Sequence, residues 1–337
     1  MLYVTTRGNK DAFTAHRALH EDLAPDGGRF IPFRLPHFNA GEISDLRTKS
    51  FGQAVAELLN LFFSCQLTGW DVDFCVGRNA ARLVSMNHRI IVAELWHNPS
   101  ANYNYIVESL YRKITNCTGC GAAVDWVRIA VRIAVIFGLY AEMQRLEMTS
   151  CDQTVDISVP VDDFSAPMAA WYARNMGLPI GTIICTCEES CPVWDLIHRG
   201  TFNTAAVEPA TQLGIERLVE AALGTNEVRV YSEKCKNGQT YVVEEDLLGS
   251  LKNNIFCAVA GEKRYETTIN SVFRSNSYII DPMTSLCYSG LQDFRSRTGS
   301  NRITLLLAER TPLDYTSQIS AATGIPSTQL IDYIKLS

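Results

Sequence analysis

The sequence predicts an α/β protein with a mostly parallel sheet and helices on both faces. Three observations carry this. Five short apolar runs, at residues 89–95, 154–160, 181–187, 254–260 and 302–308, are each followed by a helical pattern. The runs are near-continuous rather than alternating, as strands covered on both faces read. The composition, 47% hydrophobic and 20% charged residues in a chain of 337, is that of a globular protein with room for a full core.

Taken in order, the chain opens with a short strand at 2–5, and a helix is expected over 9–21. The stretch "APDGG" at 24–28 has the Pro-Asp-Gly chemistry of a tight turn. Helical periodicity then covers 51–66 and 71–85, and from residue 89 strands and helices alternate. No internal repeat or low-complexity tract interrupts the pattern. The loop at 116–125, "NCTGCGAAVD", between two long helices, is the softest point of the chain.

A net charge of -6 excludes a general nucleic-acid binder, which would be basic. The most apolar helix, 124–139, is broken by Asp125, Arg128 and Arg132, so no membrane span is expected. The first residues, "MLYVTTRGNK", lack the apolar core of a signal peptide. With eleven scattered cysteines, this implies free thiols in a reducing, cytoplasmic setting.

In open α/β sheets ligands bind beyond the carboxyl ends of the strands. Four loops therefore hold the candidates: "HNPSANYNY", "VPVDDFSAP", "CTCEESC" and "LLAERTP". They supply His97, Asp162, Asp163, Glu188, Glu189 and Glu309. Carboxylates meeting at strand ends suit a hard cation or an amine; equally, they cap helices and face water. Asp162 and Asp163 favour a helix N-terminus but would repel a bound anion. Tyr103 and Tyr105 alternate with Asn102 and Asn104, as in a polar pocket wall or a sheet-edge packing surface. Cys117-x-x-Cys120 has zinc-ligand spacing, and Cys185, Cys187 and Cys191 cluster elsewhere. A single such pair with no second pair reads as ordinary thiols, so no metal is expected.

Several segments together resemble the threonine synthase family, pyridoxal-phosphate enzymes of the tryptophan-synthase-β-like fold (fold type II). "YVTTRG" followed by "LAPDGGRFIP" looks like that family's opening, and "ELWHNPSANYNY" like its Glu-Leu-Phe-His-Gly-Pro-Thr-x-Ala-Phe-Lys-Asp. "VDWVRIAVRIAVIFGLYAEM" is similar to its Asn-Trp-Ala-Arg-Ile helix. "ISVPVDDFSAPMAAWYARNMGLPIGTIICTCEES" follows its Val-Pro-Thr-Gly-Asn-Phe-Gly-Asp, Met-Gly-Leu-Pro-Ile and Ala-Thr-Asn-Glu-Asn-Asp segments. "SYIIDPMTSLCYSGL" resembles its Asp-Pro-His-Thr-Ala, and "LLAERTPLDY" its Ala-Thr-Ala-His-Pro-Ala-Lys-Phe. The matches are collinear and span both ends of the chain.

The departures bear on function. The family's Schiff-base lysine falls on Asn104, and a carboxamide cannot form an imine with an aldehyde. The chain has eight lysines; the next on this helix, Lys113, lies roughly 13 Å further along the axis. The family's phosphate loop falls on Asp162, Asp163, Phe164 and Ser165, where a carboxylate replaces a glycine. Its hydroxyl near the pyridine nitrogen falls on Glu309, the histidine after it on Thr311 and that of Asp-Pro-His on Met283; Thr284 is retained. The family's small domain has no counterpart: only about residues 115–124 join the two helices that flank it. The resemblance thus implies an N-terminal subdomain over 1–87 and a large α/β domain over 88–337.

The family's cofactor is pyridoxal phosphate; with these departures, none is expected here. The expected function is a threonine synthase-like protein without catalytic competence, in a binding or interaction role. The alternatives are a pyridoxal-phosphate lyase with a displaced lysine and an enzyme with different chemistry in the remodelled cleft. The surface uncovered by the missing domain implies a homodimer or a protein partner, and neither nucleic acid nor membrane.

Overall fold

A computed structural model describes residues 1–9, 11–78, 81–87, 89–97, 102–115, 125–161, 164–188 and 191–336. At the N-terminus β1 (Leu2–Thr5), β2 (Phe13–Thr14) and β3 (Phe30–Pro32) form an antiparallel sheet in the order β2-β1-β3. Of the helix expected over 9–21, the described residues hold Ala15–His20, because Phe13 pairs with Tyr3 on β1 and packs edge-on against Phe30 at 5.5 Å. Tertiary packing overrides local propensity there.

The main sheet contains β4 (Arg82–Asn87), β5 (Ile90–Glu94), β6 (Val155–Pro160), β7 (Ile180–Cys187), β10 (Ile255–Val259) and β11 (Thr304–Ala308). A small pair, β8 (Thr201–Asn203) and β9 (Thr240–Val242), lies apart from it. The main order is β10-β7-β6-β11-β5-β4; every pairing is parallel except β4 with β5. The expected parallel α/β sheet is therefore present, with one antiparallel edge. That edge replaces part of the helix expected over 71–85. The helix Gly69–Val76 stops at Gly77, whose φ is 81°, and the chain re-enters as β4 with Leu83 and Val84 opposite Ala93 and Val92.

Both faces of the sheet are covered. On one, the helix Asp125–Arg145 is buried nearly all round, with Trp126, Ile133 and Phe137 among its core residues. It packs between the helices Phe51–Phe63 and Ser165–Asn175. Full burial of each large apolar side chain stabilises by roughly 1.5–3 kcal/mol. On the other face, the helix Pro282–Thr298 lies against β6, β7, β10 and β11. Gly290 makes that approach possible: a Cβ there would meet Thr186 Oγ1 at 1.8 Å.

Buried charges tie the N-terminal sheet to the helix Pro209–Leu223. Glu216 accepts from Thr6 Oγ1 and pairs with Arg7 at 2.9 Å. Arg217 pairs with Asp125 and donates to the carbonyl of Phe30 at 2.9 Å. Among the described residues, no helix is long and apolar enough to cross a membrane.

After β6 the chain adds β7 and β10 toward one edge, then returns to place β11 between β6 and β5. The connections diverge at β6 and β11, and such a switch point leaves a crevice beyond the strand ends.

Candidate functional site

The crevice is built from the ends of β5, β7, β10 and β11. At the end of β5, Glu94 is 2% exposed. Tyr278 donates its hydroxyl hydrogen to Glu94 Oε1, His97 Nε2 lies 2.8 Å from Oε2, and Arg82 Nε lies 3.5 Å from it. His97 also stacks on Trp96 with ring centroids 4.0 Å apart. Burying a carboxylate is costly unless it is paired, and this cluster supplies the partners. His97 is thus engaged as a strand-end partner of Glu94.

Beyond β11, Asn102 and Arg310 form an isolated bridge, and Tyr103 donates its N–H to the carbonyl of Glu309 at 3.4 Å. These contacts seat the helix Tyr103–Thr115 against the strand end. Arg132, from the helix Asp125–Arg145, pairs with the Glu309 carboxylate and lies 4.4 Å above the Tyr103 ring centroid. Around this pair is a cavity of about 240 Å³, lined by Asn102, Asn104, Arg132, Glu309, Arg310 and Tyr315 among others.

A second cavity, of about 510 Å³, shares Arg310 and Tyr315 and adds Glu188, Tyr265, Met283 and Leu286. Arg310 Nη1 donates to Tyr315 Oη at 3.1 Å, so this pair forms a common wall. Asp281 caps the helix Pro282–Thr298, its Oδ1 accepting from the backbone N–H groups of Met283 at 2.9 Å and Thr284 at 3.1 Å. Thr284 turns its hydroxyl back to Asp281. Burial pushes the Asp281 carboxyl up to about 6, against the opposing pull of these hydrogen bonds.

The residues singled out from sequence therefore divide. Asn104 and Glu309 line the smaller cavity, and Glu188 and Met283 the larger. His97 and Thr284 are not among the lining residues of either; both are committed to neighbouring carboxylates. Phe164 and Ser165 are buried at the start of the helix Ser165–Asn175, with Phe164 at φ 63°. Asp162, Asp163, Glu189, Cys117 and Cys120 lie outside the described residues. Among the described residues no group of three or more His, Cys, Asp or Glu side chains is placed to hold a metal ion. Sequence reasoning missed Arg132, Arg310 and Tyr315 as cleft residues. Arg132 had a signal: with Arg128, it is a charge inside a largely apolar, buried helix.

Small-molecule sites usually enclose about 300–1,000 Å³; the larger cavity is in this range and the smaller falls below it. Among the described residues neither is lined by a lysine. Lys113 lies elsewhere, paired with Asp71 at 2.8 Å. The lining residues do not fit covalent attachment of an aldehyde cofactor.

Sheet order, switch point and strand-end crevice define an α/β protein with a mostly parallel central sheet. Residues 2–78 match the family model described as the threonine synthase N terminus. Threonine synthase from Pseudomonas aeruginosa is 22% identical over 423 aligned positions, covering 90% of this chain and 87% of that protein. Human threonine synthase-like 1 is 20% identical over 177 residues, which are 49% of this chain and 24% of that protein. The chain thus spans about a quarter of that relative's length. The PLP-bound threonine synthase from Brucella melitensis superposes with a TM-score of 0.82 at 18% identity, covering 99% of this chain and 94% of its own. The chain is thus similar to threonine synthases in its N-terminal sequence and in its fold. The expectation that this chain takes no cofactor is corrected by the Brucella melitensis structure, which shares the fold across nearly the whole chain and is PLP-bound.

Proposed function

We propose that this chain is a threonine synthase-like protein that has given up lysine-dependent lyase chemistry and uses its strand-end crevice for binding. The observation that carries this reading is Asn104 on the wall of the smaller cavity, where the family resemblance calls for a lysine. An amide nitrogen is not a nucleophile toward an aldehyde. Lys113, engaged with Asp71, supports the reading against a displaced lysine. The Arg132–Glu309 pair supports it too, because a carboxylate held by a guanidinium is a poor substitute for a free hydroxyl at that position. The Pseudomonas aeruginosa alignment spans 423 positions, but 90% of 337 residues is only about 303, so about 120 positions face a gap in this chain. A gap of that size is domain-sized and supports loss of the small domain at about 115–124.

Reconstitution with pyridoxal phosphate tests the reading. The wild-type protein should show no lysine-imine absorbance band and release no threonine. An imine band in the wild type, abolished by replacing one lysine, overturns it. Pyridoxal phosphate is also the first ligand to try without an imine, by its effect on the unfolding temperature.

The surface left by the missing domain is the proposed seat of a second copy of the chain. Trp70 and Phe74 support this: they are 73% and 89% exposed on the helix Gly69–Val76, which packs on the helix leading into the shortened connection. A monomeric mass by light scattering at high concentration overturns the homodimer.

A further inference from the structure

The strand that ends just before Glu188 also carries thiols that ligand binding does not use. Cys185 and Cys187 share one face of β7, and Cys257 stands opposite Cys185 on β10. Cys187 Sγ lies 3.2 Å from Cys257 Sγ, and both residues are buried. That separation exceeds a disulfide bond by only about 1.2 Å. Cys191, the residue before the helix Pro192–Arg199, hydrogen-bonds with Cys187 and is partly exposed. One buried thiol therefore has two thiol neighbours, one of them reachable from solvent.

We propose that Cys187 is the centre of a disulfide-forming site, with Cys191 as the thiol that meets a peroxide oxidant and Cys257 as the final buried partner. The Cys191 thiolate attacks one peroxide oxygen, the O–O bond breaks, and a sulfenic acid and one water result. Cys187 sulfur then attacks Cys191 sulfur; the S–S bond forms, the S–O bond breaks, and the oxygen leaves with the Cys187 proton as a second water. Cys257 next attacks Cys187 sulfur, and Cys191 departs and regains a proton. In sum, two thiols lose two electrons and two protons, and one peroxide becomes two waters.

The hydrogen bond to Cys187, and then burial, raise the Cys191 thiol above its usual range. Thiolate is therefore scarce at neutral pH, and the oxidation should accelerate by up to about tenfold per pH unit on the alkaline side. Glu188, which lines the larger cavity, directly follows Cys187 in the chain.

The test uses the full, reduced chain treated with hydrogen peroxide, blocked with an alkylating agent and digested with trypsin without reductant. Cleavage after Arg174, Arg199, Lys252 and Lys263 puts Cys187 in the peptide 175–199 and Cys257 in 253–263. The expected product is a reductant-sensitive cross-link between these two peptides, assigned to Cys187 by fragmentation. Cys191→Ser should slow its appearance about tenfold or more, and Cys257→Ser should leave a Cys187–Cys191 disulfide inside the first peptide. Absence of the cross-link in the wild type, its assignment to Cys185, or an unchanged rate in Cys191→Ser overturns the proposal. No ligand enters the measurement, so its failure is distinct from failure of the binding reading.

Discussion

The N-terminal sheet and the strand-end crevice both hold buried charge, but they use it differently. Around the N-terminal sheet, Thr6, Arg7, Arg29, Asp125, Glu216 and Arg217 join segments far apart in sequence, and the family-model match covers most of this region. At the crevice, Arg132 and Glu309 pair across the smaller cavity, at the position where the resemblance departs from its family. The first set closes the scaffold. The second occupies space that a ligand would otherwise take. Scaffold and chemistry are thus separable in this chain.

Substitutions can break or sharpen that contrast. The largest effect is expected at Arg217, which is fully buried: Arg217→Ala leaves Asp125 and the Phe30 carbonyl without this partner and should lower stability by about 3–5 kcal/mol in urea unfolding. A loss under about 1 kcal/mol would mean that the N-terminal charges are not structural ties.

Next in size is a pH effect at Asp281. Its folded carboxyl, at about 6, lies above the ordinary value of 3.8, so the native state holds a proton that the unfolded chain releases. The resulting stability is complete below the unfolded value and lost as pH rises through about 6, a span worth about 3 kcal/mol. Asp281→Asn should flatten this dependence in unfolding curves at pH 4 and pH 7; an unchanged slope would assign it to another group.

Glu309→Gln is expected to cost only about 1 kcal/mol, because its partner is near the cavity surface. A cost equal to that of Arg217→Ala would erase the contrast between the two regions. The smallest effect belongs to Tyr315→Phe, which removes one hydrogen bond from the shared wall, about 0.5–1 kcal/mol by thermal unfolding.

Much of the fold was legible in the sequence because apolar runs record burial directly. All five expected main-sheet strands are present, within two residues at each end, and their burial explains why. β2 and β4 were missed for a common reason. Phe13 and Leu83 are specified by partners on other strands, Tyr3 and Ala93, and not by local periodicity. In the site, Asn104 and Glu309 were legible through their alignment with a motif. Arg310 and Tyr315 were not, because their role as a common wall depends on a hydrogen bond across a loop. The division of the crevice into two cavities likewise has no one-dimensional trace.

Phe164 carries a last consequence. It adopts a left-handed conformation with φ 63° while its side chain is wholly enclosed. Bulky residues avoid that region, and a fold keeps one there only when its surroundings overdetermine it. The start of the helix Ser165–Asn175 is therefore shaped by what encloses Phe164, whose backbone holds a conformation that its own side chain disfavours.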